Sequence, residues 1–284
     1  MTLYSSVIRL HALAAGNVPQ TQGHLAHAAF LDIVRQVDPD MSAALHNAQT
    51  RQPFTVSPLH GLPRASGESF VRPGHECWLR VTLASETLFG TFIRRFLQGD
   101  ARPTIRLGLV TFGVSEVLTT PGSHPWAGYT TAEELMAGAR DDATIALEFA
   151  SPFAFSLGGG RAEIMPRPEL LFDSLQRKWE QWCTLPLPAT LERDWLRESV
   201  LVSEWRMRSR MLRLGSRLQL GSEGVALYRV FGGSAALCKT LHTLASFAFY
   251  AGVGYKTTMG MGQVRRLERW SPAPSDEDAD ELPA

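Results

Sequence analysis

A glycine-rich segment near the end of the chain, residues 252 to 264 (GVGYKTTMGMGQV), has the composition of an anion-binding loop. Glycine has no Cβ, so the backbone N–H groups beside it can approach an anion closely, and Lys256 adds a mobile positive charge. The segment is not a Walker loop, because the GK[ST] ending is missing at the required spacing, and no GxGxxG opens a helix here. Anion binding and a tight connection between a helix and a strand both fit this composition.

A second basic segment runs from Glu204 to Arg217 (EWRMRSRMLRLGSR). Arg206, Arg208 and Arg210 occupy alternate positions, so on a strand they would share one face and form a positive stripe. Such a stripe would contact the phosphates of a nucleic acid with salt-dependent affinity. The solvated outer face of an antiparallel sheet has the same pattern, and the sequence leaves both alternatives open.

Eight histidines are the remaining candidates for chemistry near neutral pH. His24 and His27 stand three residues apart on one helical face, but no third ligand is apparent and two histidines make a poor metal site. His27 also shares its face with Phe30 and Val34, so a buried ring is the alternative to a functional one. We therefore predict neither a metal site nor a cofactor.

The elements that would position these residues follow the order β, α, β, β, α, β twice. The first copy consists of a strand at 3–13, helices at 22–37 and 40–47, strands at 53–58 and 77–83, a helix at 86–98 and a strand at 104–117. The second consists of a strand at 143–150, a helix at 168–183, strands at 200–212 and 224–231, a helix at 234–250 and a strand at 260–268.

This order is the split βαβ of ferredoxin-like domains, in which two helices cover one face of an antiparallel sheet. We therefore predict an α+β chain of two tandem ferredoxin-like domains, at 1–119 and 143–270. A Pro/Gly-rich linker at 120–142, containing one helical turn, would join them, and an acidic, disordered tail at 271–284 would follow.

Composition adds only broad limits on where the protein works. Its three cysteines form no close pair, so we predict no disulfide framework and a reducing cytoplasm. The first residues, MTLYSSVIRLHAL, show no basic region followed by a long apolar core, so we predict no export signal. No uninterrupted apolar run reaches the length of about 18 residues that a membrane span needs, so we predict no membrane span. Nearly all of the bases are arginine, which suits phosphate but also follows from a GC-rich genome.

The glycine-rich segment, lying between a long apolar helix and the last strand, resembles the C-terminal loop of the RAMP superfamily. More specifically, it resembles that of the Cas6 family of CRISPR repeat-processing endoribonucleases. Three other segments resemble the same family in the same order, and the resemblance extends from residue 1 to about 268. They are residues 38–59 (DPDMSAALHNAQTRQPFTVSPL), 147–155 (LEFASPFAF) and 166–175 (PRPELLFDSL), the last continuing to Trp179.

The resemblance implies two ferredoxin-like domains that bind a CRISPR repeat RNA and cut the precursor transcript on the 3′ side of the repeat hairpin. No metal is needed, and the products carry a 2′,3′-cyclic phosphate and a 5′-hydroxyl. Such chemistry requires a base for the 2′-hydroxyl, an acid for the departing 5′-oxygen and a cation near the phosphorane. Dimerisation is left open.

The resemblance also points to site residues. His46, which follows the helical residues Asp40 to Leu45 and precedes the strand at Phe54, is the first candidate for catalysis, and His27 is the second. As an alternative, His46 is only a polar residue at a helix C-terminus, where the dipole favours it. Arg51 would supply the cation, with Lys256 as its rival. A tyrosine that some members carry in the first helix is absent here.

The predicted RNA contacts are the glycines of the loop, Lys256 and the arginine stripe, namely Gly252, Gly254, Gly260, Gly262, Arg206, Arg208 and Arg210. An alternative function is a non-cutting RNA-binding RAMP subunit, whose partners would be other subunits of a CRISPR effector complex. A metabolic enzyme on the same scaffold is a weaker alternative, because no cofactor motif is present.

Overall fold

The computed structural model describes residues 1–47, 51–98 and 103–268 and contains two main antiparallel sheets, one in each half of the chain. The predicted acidic tail at 271–284 lies outside these described residues. Within the described ranges, no helix has both the length and the apolar character needed to cross a bilayer.

The first half is a ferredoxin-like unit with added strands. Its elements are β1 (Thr2–Ala12), β2 (Gly16–Pro19), α1 (Gly23–Arg35), α2 (Pro39–Asn47), β3 (Phe54–Val56), β4 (Glu68–Val71), β5 (Glu76–Leu83), α3 (Glu86–Leu97), β6 (Thr104–Leu107), β7 (Val110–Leu118) and β8 (Gly128–Thr131). The main sheet has the order β3-β5-β1-β7-β6, with β8 also paired to β1. Alternate residues of the central strands, such as Ile8 and Leu79, are buried in one core with Phe30 of α1 and Phe92 of α3.

The second half repeats this plan. Its elements are α4 (Ala132–Ala137), β9 (Thr144–Phe153), β10 (Phe155–Gly158), β11 (Arg161–Glu163), α5 (Pro168–Trp182), α6 (Arg193–Ser199), β12 (Val200–Leu214), β13 (Arg217–Val230), α7 (Ala235–Ala251) and β14 (Val264–Leu267). The sheet order β12-β13-β9-β14 places the first and third strands of the repeat side by side at the centre, as in the first half. The prediction of two tandem ferredoxin-like units is confirmed.

Two predicted segments differ in detail from the structure. The strand expected at 104–117 is a hairpin, because Gly108, at φ 64°, turns the chain between β6 and β7. The segment expected as a linker at 120–142 contains β8 and α4. α4 is the helical turn expected there, and it begins at a capping box in which the side chains of Thr131 and Glu134 bond each other's backbone amides, whereas β8 was not predicted. The division into domains at 120–142 stays a proposal.

Arg80 of β5 joins the two halves from a fully buried position. Its guanidinium donates to Ser5 Oγ at 2.8 Å, Trp126 O at 3.2 Å, Gln263 Oε1 at 2.8 Å and Phe249 O at 2.5 Å. It also lies over the rings of Trp126 and Phe249. Burial lowers the pKa of Arg80 to about 9. These neutral partners compensate the buried charge and hold the end of α7 and the strand-side end of the glycine-rich segment against the first sheet.

Candidate active site between the two halves

His27 lies in α1 and reaches across to the glycine-rich segment of the other half. Its Nδ1 is 3.1 Å from the carbonyl oxygen of Thr258, and its ring stacks on Phe54 with 5.9 Å between centroids. A carbonyl oxygen can only accept, so Nδ1 carries the proton of this hydrogen bond. In the neutral ring, Nε2 therefore keeps its lone pair. The structure fixes both the orientation and the tautomer of His27.

Burial and two neighbouring residues determine the pKa of His27. Burial lowers the pKa of His27 from its usual 6.5, the Thr258 carbonyl raises it, and the charge of His46 lowers it again. His46 lies exposed in the last turn of α2. The two histidines suggested by the resemblance are thus close enough to interact, and His27 is a neutral ring with a free Nε2 at neutral pH.

We expect the substitution His46→Asn to raise the pKa of His27, because it removes the positive charge that opposes protonation of the second ring. An NMR titration of the His27 ring would measure the change. His75→Asn is the matched control, since His75 hydrogen-bonds the Gly61 carbonyl in a different loop. An identical His27 titration in all three proteins would show that His46 and His27 do not interact.

The two candidate cations have different surroundings. The Arg51 carbonyl accepts a 3.0 Å hydrogen bond from Gln181 of α5, and among the described residues no hydrogen bond joins Arg51 to either histidine. Lys256 is two residues before Thr258, whose carbonyl holds His27, and it has a left-handed backbone at φ 58°. Burial, followed by the charge of Arg217, lowers the pKa of Lys256. Lys256 is therefore linked directly to the loop that orients His27, whereas Arg51 is linked to α5.

Lys178 of α5 supports the start of the glycine-rich segment, a role that was not predicted from its sequence position. Its side chain is 4% exposed, and Nζ donates to the carbonyl oxygens of Ala251 at 2.7 Å and Gly252 at 2.9 Å. It thereby caps the C-terminus of α7, where the glycine-rich segment begins. Burial lowers its pKa to about 7. The available signal was its place three residues after Leu175, on the apolar face of α5.

We expect Lys178→Met to change the pH dependence of stability. The unfolded lysine keeps its proton up to about its usual pKa of 10.5, whereas the folded one releases it near 7. Between these values the unfolded state binds more protons, so raising the pH stabilises the folded wild-type protein. The methionine variant lacks this contribution and should show a flatter rise in urea midpoint between pH 7 and 10. The exposed Lys239→Met should keep the wild-type slope, and parallel slopes for Lys178→Met would contradict the argument.

The four predicted loop glycines all have positive φ and all pack closely against their own chain. A Cβ built on Gly254 would lie 2.3 Å from Ala154 O, and one on Gly262 would lie 2.0 Å from Val253 O. A Cβ on Gly252 or Gly260 would be less crowded, with the nearest atom, Thr257 Cγ2 or Gly23 Cα, at 3.0 Å. Internal packing thus accounts for the glycines, which favours the tight-connection alternative. Contact between their amides and phosphate stays a prediction.

The arginine stripe lies on β12, as predicted, and is partly neutralised. Arg208 Nη2 is 2.7 Å and Arg210 Nε is 2.9 Å from the same oxygen, Oε1 of Glu223 on β13. Both guanidinium groups are more than half exposed, so they remain accessible on the surface. Arg206 lies on the same strand. Arg210 lines a cavity together with Gly260, so the stripe leads to the glycine-rich segment.

Metal binding has no candidate cluster in the described part of the chain. No group of three or more His, Cys, Asp or Glu side chains is arranged there to hold an ion. His24, the predicted neighbour of His27, has its Nδ1 buried without a hydrogen-bond partner among the described residues.

Comparison with known families agrees with this arrangement. The model described as "CRISPR Cas6 N-terminal domain" matches residues 2–137, and the model described as "CRISPR-associated endoribonuclease Cas6" matches residues 147–264. This chain belongs to the Cas6 family. The predicted resemblance to the Cas6 family is therefore confirmed. No curated protein sequence matches the chain.

Solved Cas6 structures share the whole fold. The Thermus thermophilus Cas6 protein TTHB231, in a product complex, is 29% identical with a TM-score of 0.78 over 94% of this chain and 99% of its own. The Cas6 protein TTHA0078, also in a product complex, is 28% identical with a TM-score of 0.74 over 94% of this chain and 100% of its own. A RAMP protein described as binding different RNA substrates is 15% identical with a TM-score of 0.60, which supports the fold alone.

Proposed function

We propose that this Cas6 chain binds the repeat hairpin of a CRISPR precursor transcript and cuts it without a metal. The 2′-hydroxyl attacks the adjacent phosphate, leaving a 2′,3′-cyclic phosphate and a 5′-hydroxyl. The proposal is supported by the Cas6 endoribonuclease model and by relatives described as product and substrate mimic complexes. Its main structural support is the His27 ring, held by Thr258 with Nε2 free, beside His46.

Each histidine has one role in this proposal. His27 is the base, because its pKa is lowered and its unprotonated Nε2 can take the proton of the 2′-hydroxyl. His46, exposed at the end of α2, is the acid that protonates the departing 5′-oxygen. The cation near the phosphorane is proposed to be Arg51, with Lys256 as the rival that is closer to the His27 loop.

The RNA backbone would follow the arginine stripe of β12 to the glycine-rich segment. Arg206, Arg208 and Arg210 would contact phosphates of the hairpin, and Lys256 would contact a phosphate nearer the cut. This path is supported by the cavity that Arg210 and Gly260 share. The proposed partner is therefore repeat RNA. The amides of Gly252, Gly254, Gly260 and Gly262 remain proposed contacts.

Incubation of the protein with end-labelled repeat RNA in EDTA tests the function. We expect a shortened product that carries a cyclic phosphate, and no product when the nucleotide 5′ to the cut is 2′-deoxy. Tight binding without any shortened product would support the alternative, a non-cutting RAMP subunit. Cleavage only after Mg²⁺ is added, or cleavage of the deoxy substrate, would contradict the mechanism.

We expect Glu223→Gln to strengthen RNA binding, because it removes the carboxylate shared by Arg208 and Arg210. The released guanidinium groups would contact phosphates, so affinity should rise several-fold and the slope of log K against log salt should steepen by about 1 to 2 units. Glu116→Gln is the matched control, since Glu116 pairs with Arg9 on the first sheet. Filter binding at several salt concentrations measures both quantities. An unchanged slope would mean that the stripe is only a solvated face.

A further inference from the structure

A cavity of about 280 Å³ lies where both halves meet the arginine stripe and the glycine-rich segment. Its wall includes Gln22 at the start of α1, Pro58 after β3, Pro152 of β9, Met211 of β12 and Gly260. Small-molecule sites usually occupy about 300 to 1,000 Å³, so this cavity is near the lower end of that range. Its size and its mixed apolar and polar wall suit one nucleobase.

Gln22 lines this cavity and has a hydrogen-bond acceptor that no described residue satisfies. The residue is 1% exposed, and its Nε2 donates to the Leu59 carbonyl at 3.1 Å. Because a carbonyl only accepts, this contact fixes the orientation of the amide. The other amide atom, Oε1, is buried and has no partner among the described residues. A buried acceptor without a partner is unfavourable, and a ligand N–H group would satisfy it.

The start of α1 adds a preference for negative charge beside the same cavity. Gln22 is the N-cap residue but makes no side-chain cap, and the first turn contains no acidic residue. The first amides of the helix and the positive end of its dipole therefore favour an anion such as a phosphate. Arg210 lines the same cavity together with its ion-pair partner Glu223, which offsets part of its charge.

The cavity is also adjacent to the proposed reaction centre. Met259 and Gly260 line it, and the preceding residue, Thr258, holds the His27 ring. A base in the hairpin stem is stacked and paired with a second base, which a cavity of this size cannot also hold. Only an unpaired, unstacked nucleotide can place its base here, with an N–H group toward Gln22.

We propose that this cavity binds one unpaired nucleotide of the RNA next to the cut, with an N–H group of its base donating to Gln22 Oε1 and its phosphate at the start of α1. The inference rests on the proposed function and adds to it a base-reading residue. Gln22 would then select bases that carry an N–H donor on the exposed edge, and it would position the nucleotide without touching the reacting atoms.

A scan with abasic substrates tests the proposal. Repeat RNAs carrying one abasic site, placed at successive positions around the cut, are cleaved by the wild-type protein and by Gln22→Leu. In the wild type we expect one unpaired position at which the missing base lowers kcat/KM by about 10-fold or more, the effect of leaving a buried polar group unpaired. In Gln22→Leu, kcat/KM on intact RNA should already be low, and the same abasic site should cause no further loss.

Gln52→Leu is the matched control. Gln52 also donates its Nε2 to a carbonyl, that of Leu45, and also has a buried Oε1 without a partner, but it is not among the residues that line this cavity. Whatever this variant does to the overall rate, its abasic profile should match that of the wild type. If Gln22→Leu does not fold, wild-type protein and a base analogue without N–H donors at the sensitive position should reproduce the loss.

The outcomes separate this inference from the proposed function. The inference would be overturned, and the function left standing, if the wild type cleaves intact RNA normally but every abasic site changes kcat/KM equally in the wild type and in Gln22→Leu. If the donor-free analogue is cleaved like the normal base, Gln22 does not read that base. If the wild type neither binds nor cuts intact repeat RNA, both proposals fail together.

Discussion

His27→Asn should lower the cleavage rate by about 100-fold or more, the usual scale for losing a general acid or base, while RNA affinity stays unchanged. Asparagine is chosen because its Nδ2–H group can donate to the Thr258 carbonyl as the His27 Nδ1–H does. The loop contact is thus kept, and only Nε2 is removed. Single-turnover cleavage, together with filter binding, would separate the rate from the affinity.

The pH profile of the wild type gives the same assignment a second test. The base must be unprotonated, and the pKa of His27 is lowered from 6.5, so kcat/KM should rise with pH through a value below 6.5. His24→Asn is the control for a histidine change in the same helix and should cleave normally. If His27→Asn cleaves at the wild-type rate, the base is not His27 and the role passes to His46.

The sequence predicted the repeated order of elements because each element carries its own pattern. In the segment of β12, arginines alternate with other residues, and the segment of α7 is continuously apolar. Both elements were therefore predicted to within a few residues of their observed bounds. Trp179 and Trp182, at helical spacing on α5, are likewise buried against Phe247. Local periodicity was sufficient for these features, since burial of one face decides them.

Contacts between distant residues were beyond the reach of such patterns. The bond from His27 to Thr258 spans 231 positions, and no spacing rule connects them. Lys178 and Arg80 illustrate a second limit, because charged residues are usually assigned to the surface, yet both are buried with carbonyl partners. The pairing of Arg208 with Glu223 likewise depends on the register of the β12 and β13 hairpin, which periodicity does not fix.

The same limit applies to the glycine-rich segment, for which composition alone allowed two explanations. Its position between α7 and β14 was predictable, but the atoms nearest its glycines include the carbonyl oxygens of Val253 and Ala154 and the Cα of Gly23 in α1. The packed glycine-rich segment holds the Thr258 carbonyl within hydrogen-bonding distance of His27 Nδ1. This assigns the loop a positioning role that requires neither a free amide nor an anion.

Gly262→Ala should destabilise the protein by about 4 kcal/mol or more, an exceptional value for one substitution. Gly262 has φ 66°, where an L-residue costs about 1 to 2 kcal/mol. In addition, the new Cβ would lie 2.0 Å from the Val253 carbonyl oxygen, so the backbone must move and the hydrogen bond from Gly262 N to Pro152 O, 2.9 Å long, is strained. Thermal and urea unfolding measure the loss.

Gly159→Ala separates the two contributions to this effect. Gly159 has φ 59°, but a Cβ there would meet nothing within 4 Å, so only the backbone cost of about 1 to 2 kcal/mol should remain. The difference between the two variants then measures how tightly the glycine-rich segment is packed on its own chain. Equal losses would mean that the segment has room for a side chain at residue 262, and the glycines would then be better explained by close approach of a phosphate than by internal packing.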